Sequence, residues 1–272
     1  MAYEKFKPII WSQFIQRELE KKCRLVEDCW KQFEGEVKHG KTVKILGVGS
    51  PTIGTYTGAS IGSPEVVEGT EVNLNIDQAK FFNFMVDDVD RAQSVPGLME
   101  TLIEEATAKM AQNRDSYVAG LAAEAENKVE GGEISTPEEA KKALDEALLK
   151  LRENDVDLED EVVIEVAPFF YQLLRDNLAA LKTNNDELVA KGVVGMYDNC
   201  RVKLSNNLYN DGTETYMMVR TKRAIAFAGQ IDEVEAYRPQ DLFSDAMKGL
   251  NVYGAKIVRQ KEIVALKGHK AA

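Results

Sequence analysis

Thr42-Val43-Lys44-Ile45 and, farther along the chain, Glu71-Val72-Asn73-Leu74-Asn75-Ile76 alternate polar with apolar residues. Alternation with a period of two is typical of strands that bury one face. Glycines and prolines punctuate the stretch between them, at Gly47, Gly49, Pro51, Gly54, Gly58, Gly62, Pro64 and Gly69. We therefore expect residues 35–83 to form a long, mostly polar, two-stranded hairpin. Because an isolated hairpin is only marginally stable in water, we expect it to lean on something else and to be ordered only against a neighbouring copy of the chain.

Helices are predicted on both sides of this hairpin. Near the N-terminus, Trp11, Ile15 and Leu19 recur at four-residue steps, and this amphipathic helix is predicted to run to about Trp30. After the hairpin, apolar residues recur at three- and four-residue steps over residues 97–126. At 1.5 Å per residue, a helix of that length is a rod of roughly 45 Å.

The second half of the chain mixes helices and strands. Thr136, Pro137 and Glu139 have the spacing of a capping box and predict a helix that begins at Pro137. Other predicted helices begin at Pro168, follow Asp186 as far as Gly192, and span Pro239–Met247. Predicted strands are Val162–Val166, Val193–Leu204, Tyr216–Arg220, Ile225–Ala228 and Ile257–Leu266, with a turn at Asn210-Asp211-Gly212. The predicted fold class is therefore α+β.

The composition is that of an ordinary globular protein. The chain has 272 residues, of which 44% are hydrophobic and 29% charged, and this length favours one or two domains. Cys23, Cys29 and Cys200 are too few, and odd in number, for a disulfide framework. No apolar run approaches the ~20 residues that span a bilayer, and no secretory signal is visible. We therefore expect free thiols in a reducing cytoplasm and no membrane partner.

Charge is distributed unevenly along the chain. Acidic side chains outnumber basic ones by 45 to 34, and the net charge of −11 argues against a nucleic-acid-binding surface spread over the whole protein. Residues 130–165 carry 13 acidic and 4 basic residues, a net of −9. Residues 1–46 carry 10 basic and 7 acidic residues, a net of +3, and residues 247–272 carry 6 and 1, a net of +5. The middle of the chain is thus strongly acidic, and its ends are mildly basic.

No group of residues has the spacing of a catalytic, cofactor-binding or metal site. The loop Gly47–Gly54 lacks the Gly-Lys-Ser/Thr ending of a phosphate-binding loop, and strand signals rather than a helix follow it. The acidic run Asp155–Glu161 lacks the glycine and the final glutamate of a calcium loop. His39 and His269 have no metal-ligand neighbours in sequence and are predicted to be exposed. We therefore predict no catalytic, cofactor or metal residues, and a protein that is not an enzyme.

Six strings occur in a characteristic order along the chain. They are Phe33–Ile45 with Ile53–Tyr56, Asp77–Ser94, Arg114–Tyr117, Gly192–Asp198, Val202–Asn206 and Tyr253–Val258. With the order of arm helix, long hairpin, long helix, mixed region and closing strands, they resemble the major capsid proteins of tailed bacteriophages. Those proteins have the Hong Kong 97-type fold, which encapsulin shells and the herpesvirus capsid floor also use. Lys41 stands where Asp is commoner in that family, and Asp198 where Gly is usual.

The resemblance implies a division of the chain into parts of a capsid subunit. These parts are an N-terminal arm (1–34), an extended E-loop hairpin (35–83), a spine helix with the first part of a peripheral domain (84–130), an axial domain (131–233) and a return to the peripheral domain (234–272). The acidic middle of the chain maps to the axial domain. The basic arm is expected to lie near packaged DNA without binding it specifically.

The resemblance also implies a function. The chain is expected to self-assemble, as hexamers and pentamers, into the icosahedral head shell around double-stranded DNA. The expected location is the virion, after assembly in the cytoplasm of a host bacterium. Expected partners are further copies of the chain, a portal protein and a scaffolding protein. The scaffolding protein is expected to be separate, because no long stretch precedes the arm helix.

Two alternatives stay open at the level of the sequence. The first is an encapsulin-type compartment that encloses an enzyme cargo, although such chains usually lack so long an arm and hairpin. The second is a cytosolic enzyme that binds a nucleotide with the loop Gly47–Gly54. Large sedimenting particles distinguish both shell proteins from the enzyme, and packaged DNA distinguishes the phage capsid from the compartment.

Overall fold

The computed structural model describes residues 23–32, 42–47, 53, 70–87, 98–156, 161–180, 195–241 and 243–270. Within these ranges the helices are α1 (Leu98–Gly120), α2 (Pro137–Glu153) and α3 (Pro168–Ala180). The strands are β1 (Thr42–Gly47), β2 (Thr70–Asn75), β3 (Gln78–Asp87), β4 (Lys128–Ile134), β5 (Val163–Val166), β6 (Met196–Tyr197), β7 (Cys200–Leu204), β8 (Tyr209–Asn210), β9 (Thr215–Arg220), β10 (Ile225–Tyr237), β11 (Ser244–Ile257) and β12 (Ile263–Lys270). The chain is thus a mixed α and β protein, as the sequence predicts.

The largest sheet has the strand order β4-β12-β9-β5-β7-β6, with β8 beside β9. Strand β12 runs parallel to β4 and β5 parallel to β7, whereas the other neighbours are antiparallel. Helix α2 packs onto this sheet through a fully buried stripe, in which Leu144, Leu148 and Leu151 meet Ile164 and Leu266. This cluster is one of the two large apolar cores in the described part of the chain.

Helix α2 begins where the sequence predicts. The Thr136 hydroxyl accepts a hydrogen bond from the Glu139 N–H, and the Glu139 carboxylate accepts one from the Thr136 N–H. These reciprocal bonds satisfy two backbone donors that the first turn of a helix leaves without partners. The capping box is therefore confirmed.

Helix α1 is shorter than predicted. Its 23 residues, Leu98–Gly120, correspond to a rod of about 35 Å. A 3-10 turn at Leu121–Glu124 continues it, and Ala125 then adopts an extended backbone. The predicted end at residue 126 is wrong, because the chain turns to enter β4 at Lys128.

The second sheet has the order β10-β11-β3 and is antiparallel throughout. The helix predicted over Pro239–Met247 is wrong, because β11 begins at Ser244. Within β11, Met247 lies opposite Phe84 of β3 on one side and Ala236 of β10 on the other. Pairing along both edges outweighs the weak local preference of this short stretch for helix.

Two predicted strands are each interrupted by a turn. The stretch Ile257–Leu266 contains the end of β11, a 3-10 turn at Gln260–Glu262 and the start of β12. In the described part of Val193–Leu204, strands β6 and β7 are joined at Asp198 and Asn199, whose φ angles are 47° and 65°. Two successive residues with positive φ match the twist of a tight hairpin, and Asp and Asn tolerate this region better than most residues.

The N-terminal segment, defined as residues 23–32, is not part of an α-helix. It contains a 3-10 turn at Val26–Asp28, and Trp30 then forms a parallel bridge with Ala226 of β10. The helix predicted to reach Trp30 is therefore wrong for these residues. Residues 1–22 and the helix predicted between Asp186 and Gly192 lie outside the described residues.

The three cysteines lie in the interior of the protein. Cys23, Cys29 and Cys200 are buried, and none of the three is joined in a disulfide. Burial raises the pKa of Cys29 to about 11, so this thiol stays protonated at neutral pH. Among the described helices, none is long and apolar enough to cross a membrane.

Candidate assembly surfaces

The loop and the histidines singled out in the sequence do not converge on a site. Strand β1 ends at Gly47, and Ile53 alone represents the rest of the loop Gly47–Gly54 among the described residues. His269 is half-buried in β12, so the prediction that it is exposed is wrong, and His39 lies outside the described residues. Across the described ranges, no three His, Cys, Asp or Glu side chains are grouped as metal ligands. What stands out instead is how two peripheral segments, the β1–β2 hairpin and the N-terminal segment, are fixed to the sheets.

The β1–β2 hairpin packs one face onto the chain's own second sheet. Its strands pair antiparallel, from Thr42 opposite Asn75 to Gly47 opposite Thr70. The inward side chains form a buried cluster with two alanines of β10; the cluster comprises Val43, Ile45, Leu74, Ile76, Ala226 and Ala228. The opposite face is polar apart from the exposed Leu46, and Lys44 Nζ lies 2.7 Å from a Glu71 carboxylate oxygen there. The described hairpin residues thus have their support within the same chain, so the expectation that they are ordered only against a neighbouring copy is wrong for them.

Gly254 of β11 allows the root of the hairpin to approach closely. A Cβ atom at this position would lie 2.1 Å from the Asn75 carbonyl oxygen and 3.0 Å from the Ile76 Cα. Both are backbone atoms, so no change of rotamer relieves the overlap. The string Tyr253-Gly254-Ala255 therefore has a packing role, since only glycine fits where β11 passes under the end of β2.

A buried ion pair fixes the N-terminal segment to the largest sheet. The Arg220 guanidinium donates to both carboxylate oxygens of Glu165, from Nη2 at 2.6 Å and from Nε at 3.2 Å. It also donates to the Asp28 carbonyl at 2.6 Å and to the Leu25 carbonyl at 3.0 Å. Burial alone would lower the pKa of Arg220, but the charge and hydrogen bonds of Glu165, together with other groups that include Asp28, raise it overall. Arg220 of β9, held by Glu165 of β5, thus binds the backbone of the N-terminal segment.

Asp28 connects the N-terminal segment to strand β7. Its side chain is buried, and it forms ion pairs with Arg201, at 2.5 Å, and with Lys203. Lys203 also lies 2.8 Å from Glu27. Because removing one partner leaves a buried charge without compensation, this arrangement resists detachment of the N-terminal segment.

One turn of helix α1 contacts both peripheral segments. The Asp115 carboxylate accepts hydrogen bonds from the backbone N–H groups of Arg24, Leu25 and Val26, at 2.9, 3.1 and 3.2 Å. The Tyr117 hydroxyl donates to Asp77, which lies between β2 and β3, at 3.1 Å. Burial, followed by the Asp77 carboxylate, raises the pKa of Tyr117 to about 12, so its hydroxyl remains a donor at neutral pH.

Arg114, in the same turn of helix α1, contacts the second sheet. Its Nε donates to Asn251 Oδ1 at 3.0 Å, and its guanidinium carbon lies 5.8 Å from the ring centres of both Phe227 and Tyr253. The ring of Tyr117 meets Tyr253 edge-on, with centroids 5.6 Å apart. The string Arg114–Tyr117 is therefore a junction between helix α1, the second sheet and the two peripheral segments.

The outer face of the second sheet exposes large apolar side chains. Phe81 of β3 is 79% exposed and lies opposite Leu250 of β11, which is 38% exposed. Met85, four residues farther along β3, is 60% exposed. The other face of the same strands is covered, since Phe82 and Phe84 pack with Ile103 of α1 and with Met247. We call Phe81, Met85 and Leu250 the apolar face, in which the exposed Asn83 separates Met85 from Phe81. Large exposed apolar side chains grouped on one face of a sheet favour an interaction site.

The β6–β7 turn is fixed to helix α2 by polar contacts. The Tyr197 hydroxyl donates to Asp145 at 2.5 Å, and Asp198 forms an ion pair with Arg152. Burial, followed by the Asp145 carboxylate, raises the pKa of Tyr197 above its ordinary value. This contact has the same chemistry as the Tyr117–Asp77 contact but lies in a different part of the fold.

Sequence reasoning missed both the buried ion pair and the apolar face. The first had a local signal, because Glu165 interrupts the otherwise apolar strand Val163–Val166, and a charge in such a strand requires a buried partner. Phe81-Phe82-Asn83-Phe84-Met85 is apolar on both faces, so its pattern does not distinguish the covered face from the exposed one.

Solved structures of similar fold include several phage particles. A structure from Mycobacterium phage Che8 matches with a TM-score of 0.77 and 28% identity, and the match covers 90% of each chain. The capsid of cyanophage P-SCSP1u matches with a TM-score of 0.72 and 17% identity over 86% of this chain and 85% of that one. A virus-like particle from Pyrococcus furiosus matches with a TM-score of 0.59 and 14% identity over 94% and 97% of the two chains.

Comparisons of sequence alone add nothing to this result, since no known family model and no curated protein matches the chain. The structural matches span nearly the whole chain in each case. Along this chain, the described elements run from the hairpin through helix α1 to the closing strands. The chain therefore has the fold of the major capsid proteins of tailed bacteriophages.

Proposed function

We propose that this chain is a major capsid protein that self-assembles into the icosahedral head shell of a tailed bacteriophage and encloses double-stranded DNA. The observation that carries the proposal is the match to the Mycobacterium phage Che8 structure, at 28% identity over 90% of both chains. The solved structures of similar fold are structural capsid proteins, which supports the proposal that this chain is not an enzyme. The expected location is the virion, after assembly in the cytoplasm of a host bacterium.

We further propose the parts of the subunit that the resemblance implies. Residues 1–34 form the N-terminal arm, 35–83 the E-loop, 84–130 the spine helix and first part of the peripheral domain, 131–233 the axial domain and 234–272 the return to the peripheral domain. Helix α1 supports the spine-helix assignment, because it is the longest described helix and contacts both the arm and the hairpin root. The polar outer face of the β1–β2 hairpin supports a role outside the subunit's own core.

The main partner is the chain itself, as hexamers and pentamers. Head-to-tail contacts between identical subunits form a closed ring when the rotation from one subunit to the next divides a full turn evenly. The apolar face suits such a contact, since Phe81 is 79% exposed and flanked by Leu250 on the neighbouring strand. A separate scaffolding protein, a portal protein and non-specific proximity to packaged DNA complete the proposed set of partners.

A second candidate is an encapsulin-type compartment. The match that favours it is the Pyrococcus furiosus virus-like particle, which covers 97% of that chain, although its identity is 14%. Both candidates are shells, and their contents distinguish them. Nuclease-resistant DNA inside particles from infected cells supports the phage capsid, and a protein cargo in its place supports the compartment.

The test of assembly compares three proteins by electron microscopy and sedimentation. The unchanged chain is expected to form shells, tubes or capsomers when it is expressed with or without a scaffolding protein. Phe81→Ser is expected to melt like the unchanged chain but to assemble poorly, because the lost apolar area lies outside the subunit core. Phe81→Leu, which keeps most of that area, is the matched control and is expected to assemble. A chain that stays a compact monomer under all conditions contradicts the proposed function.

A further inference from the structure

We propose that the helix turn Arg114–Tyr117 holds the N-terminal segment and the β1–β2 hairpin in a fixed mutual position, so that loosening either segment loosens the other. Asp115 and Tyr117 are the positioning residues. The coupling stands on contacts within one chain and does not depend on the proposed function. If the chain forms shells, the turn Arg114–Tyr117 also fixes the angle between the N-terminal segment and the β1–β2 hairpin as both extend toward neighbouring copies.

The first link runs through the helix itself. Side chains two positions apart on an α-helix point about 200° apart, which places Asp115 and Tyr117 on nearly opposite sides of α1. Asp115 faces the N-terminal segment and accepts three of its backbone N–H groups. Tyr117 faces the hairpin root and donates to Asp77 at 3.1 Å. The end of α1 is thus clamped between the two segments.

The second link runs through the first residues of β10. The Trp30 N–H donates to the Ile225 carbonyl at 2.8 Å, and the Phe227 N–H donates to the Trp30 carbonyl at 3.0 Å. Between these two bonds, the Ala226 side chain points into the cluster that buries the inner face of the hairpin. The backbone of Ile225 and Phe227 therefore holds the N-terminal segment, while the side chain of Ala226 between them packs against the hairpin.

The two links share the aromatic centre beneath them. Phe227 stacks on Tyr253 with centroids 5.8 Å apart, and Arg114 and Tyr117 both contact Tyr253. Tyr253 and Phe227 are each 1% exposed, so this centre lies in the closed interior of the protein. Close-packed interiors transmit small displacements because they have few voids to absorb them. Displacing either segment therefore disturbs the support of the other.

Hydrogen exchange on the full-length protein tests this coupling. Asp115→Asn weakens the hold on the N-terminal segment, and Tyr117→Phe removes the bond to the hairpin root. Asp115→Asn is expected to speed exchange of the β1 and β2 amides about fivefold, although Asp115 contacts neither strand. Tyr117→Phe is expected to speed exchange of the amides of residues 24–30 by a similar factor. Tyr197→Phe, which removes a matching hydroxyl–carboxylate bond to Asp145 at 2.5 Å, is the control and is expected to change neither region.

Two results overturn the proposal. In the first, each variant speeds exchange only in the segment that its own side chain contacts. In the second, Tyr197→Phe has the same effect as Tyr117→Phe, which shows a general loss of stability. If Asp115→Asn does not fold, the comparison of Tyr117→Phe with Tyr197→Phe decides alone, because both remove a single hydroxyl from a partly exposed ring. Exchange is measured whether or not particles form, so failure of the coupling is distinguishable from failure of the proposed function.

Discussion

Replacing Gly254 by Ala is expected to displace the β1–β2 hairpin from the rest of the chain. The added Cβ would lie 2.1 Å from the Asn75 carbonyl oxygen, 2.9 Å from the Asn75 carbonyl carbon and 3.0 Å from the Ile76 Cα. Non-bonded heavy atoms prefer separations of about 3.5–4.0 Å, so the backbone must move by more than about 1 Å. That movement separates Leu74 and Ile76, which are at most 7% exposed, from the alanines of β10.

The size of the effect follows from two opposing contributions. Overpacking a close contact costs about 1–3 kcal/mol, and a contact between backbone atoms belongs at the upper end of that range. The lower entropy of the unfolded chain with Ala returns about 0.4–1 kcal/mol. The net loss in the free energy of unfolding is therefore about 2 kcal/mol. For a chain of this size, each kcal/mol lowers the melting temperature by about 2–4 °C, which gives a drop of about 4–8 °C.

Gly229→Ala is the matched control for this experiment. Gly229 lies in β10, directly opposite Tyr253, but a Cβ added there would meet its nearest atom, in the Phe227 ring, at 4.0 Å. The control is therefore expected to melt at or slightly above the temperature of the unchanged chain. Circular-dichroism melting of both variants is the assay. Equal melting temperatures for the two variants would show that the close approach of the Asn75 and Ile76 backbone to Gly254 does not contribute to stability.

Two further predictions concern the buried ion pair and nucleotide binding. Arg220→Met leaves the buried Glu165 carboxyl without its partner, and is expected to lower the free energy of unfolding by about 3–5 kcal/mol in denaturant titrations. The double variant Arg220→Met/Glu165→Met is expected to be less destabilised than the single one, and the reverse order would contradict the role assigned to the pair. ATP and NAD are expected to leave the melting temperature unchanged. A binder at ~100 times its dissociation constant adds about 2.7 kcal/mol, so a clear rise with either nucleotide would revive the nucleotide-binding alternative.

Features set by neighbouring residues were predictable from the sequence. The capping box needs only Thr136 and Glu139, three positions apart, and the structure contains both of its hydrogen bonds. The alternation around Val43 and Leu74 likewise predicted the two hairpin strands, because period-two burial is visible in a single strand. In these places local preference and tertiary structure agree.

Features set by distant residues were not predictable. The stretch after Pro239 has little preference of its own, and pairing with β3 and β10 makes its second half a strand. The contact between Asp115 and the N-terminal segment joins residues about 90 positions apart, and no spacing rule relates them. The sequence therefore predicted the elements better than the junctions between them, and the junctions position the candidate assembly surfaces.

The contacts that hold the peripheral segments and the surface that remains exposed use different residues. Gly254, Asp115 and Arg220 lie at the roots of the hairpin and the N-terminal segment, where close packing and buried hydrogen bonds act within one chain. Phe81 and Leu250 lie on the far side of β3 and β11 from helix α1 and contribute little to the core. The proposed shell function needs this division, because the subunit requires both its own folded core and apolar surface that neighbouring copies can cover. Substitutions at the roots should therefore lower the melting temperature first and impair assembly as a consequence. Substitutions on the apolar face should impair assembly at an unchanged melting temperature.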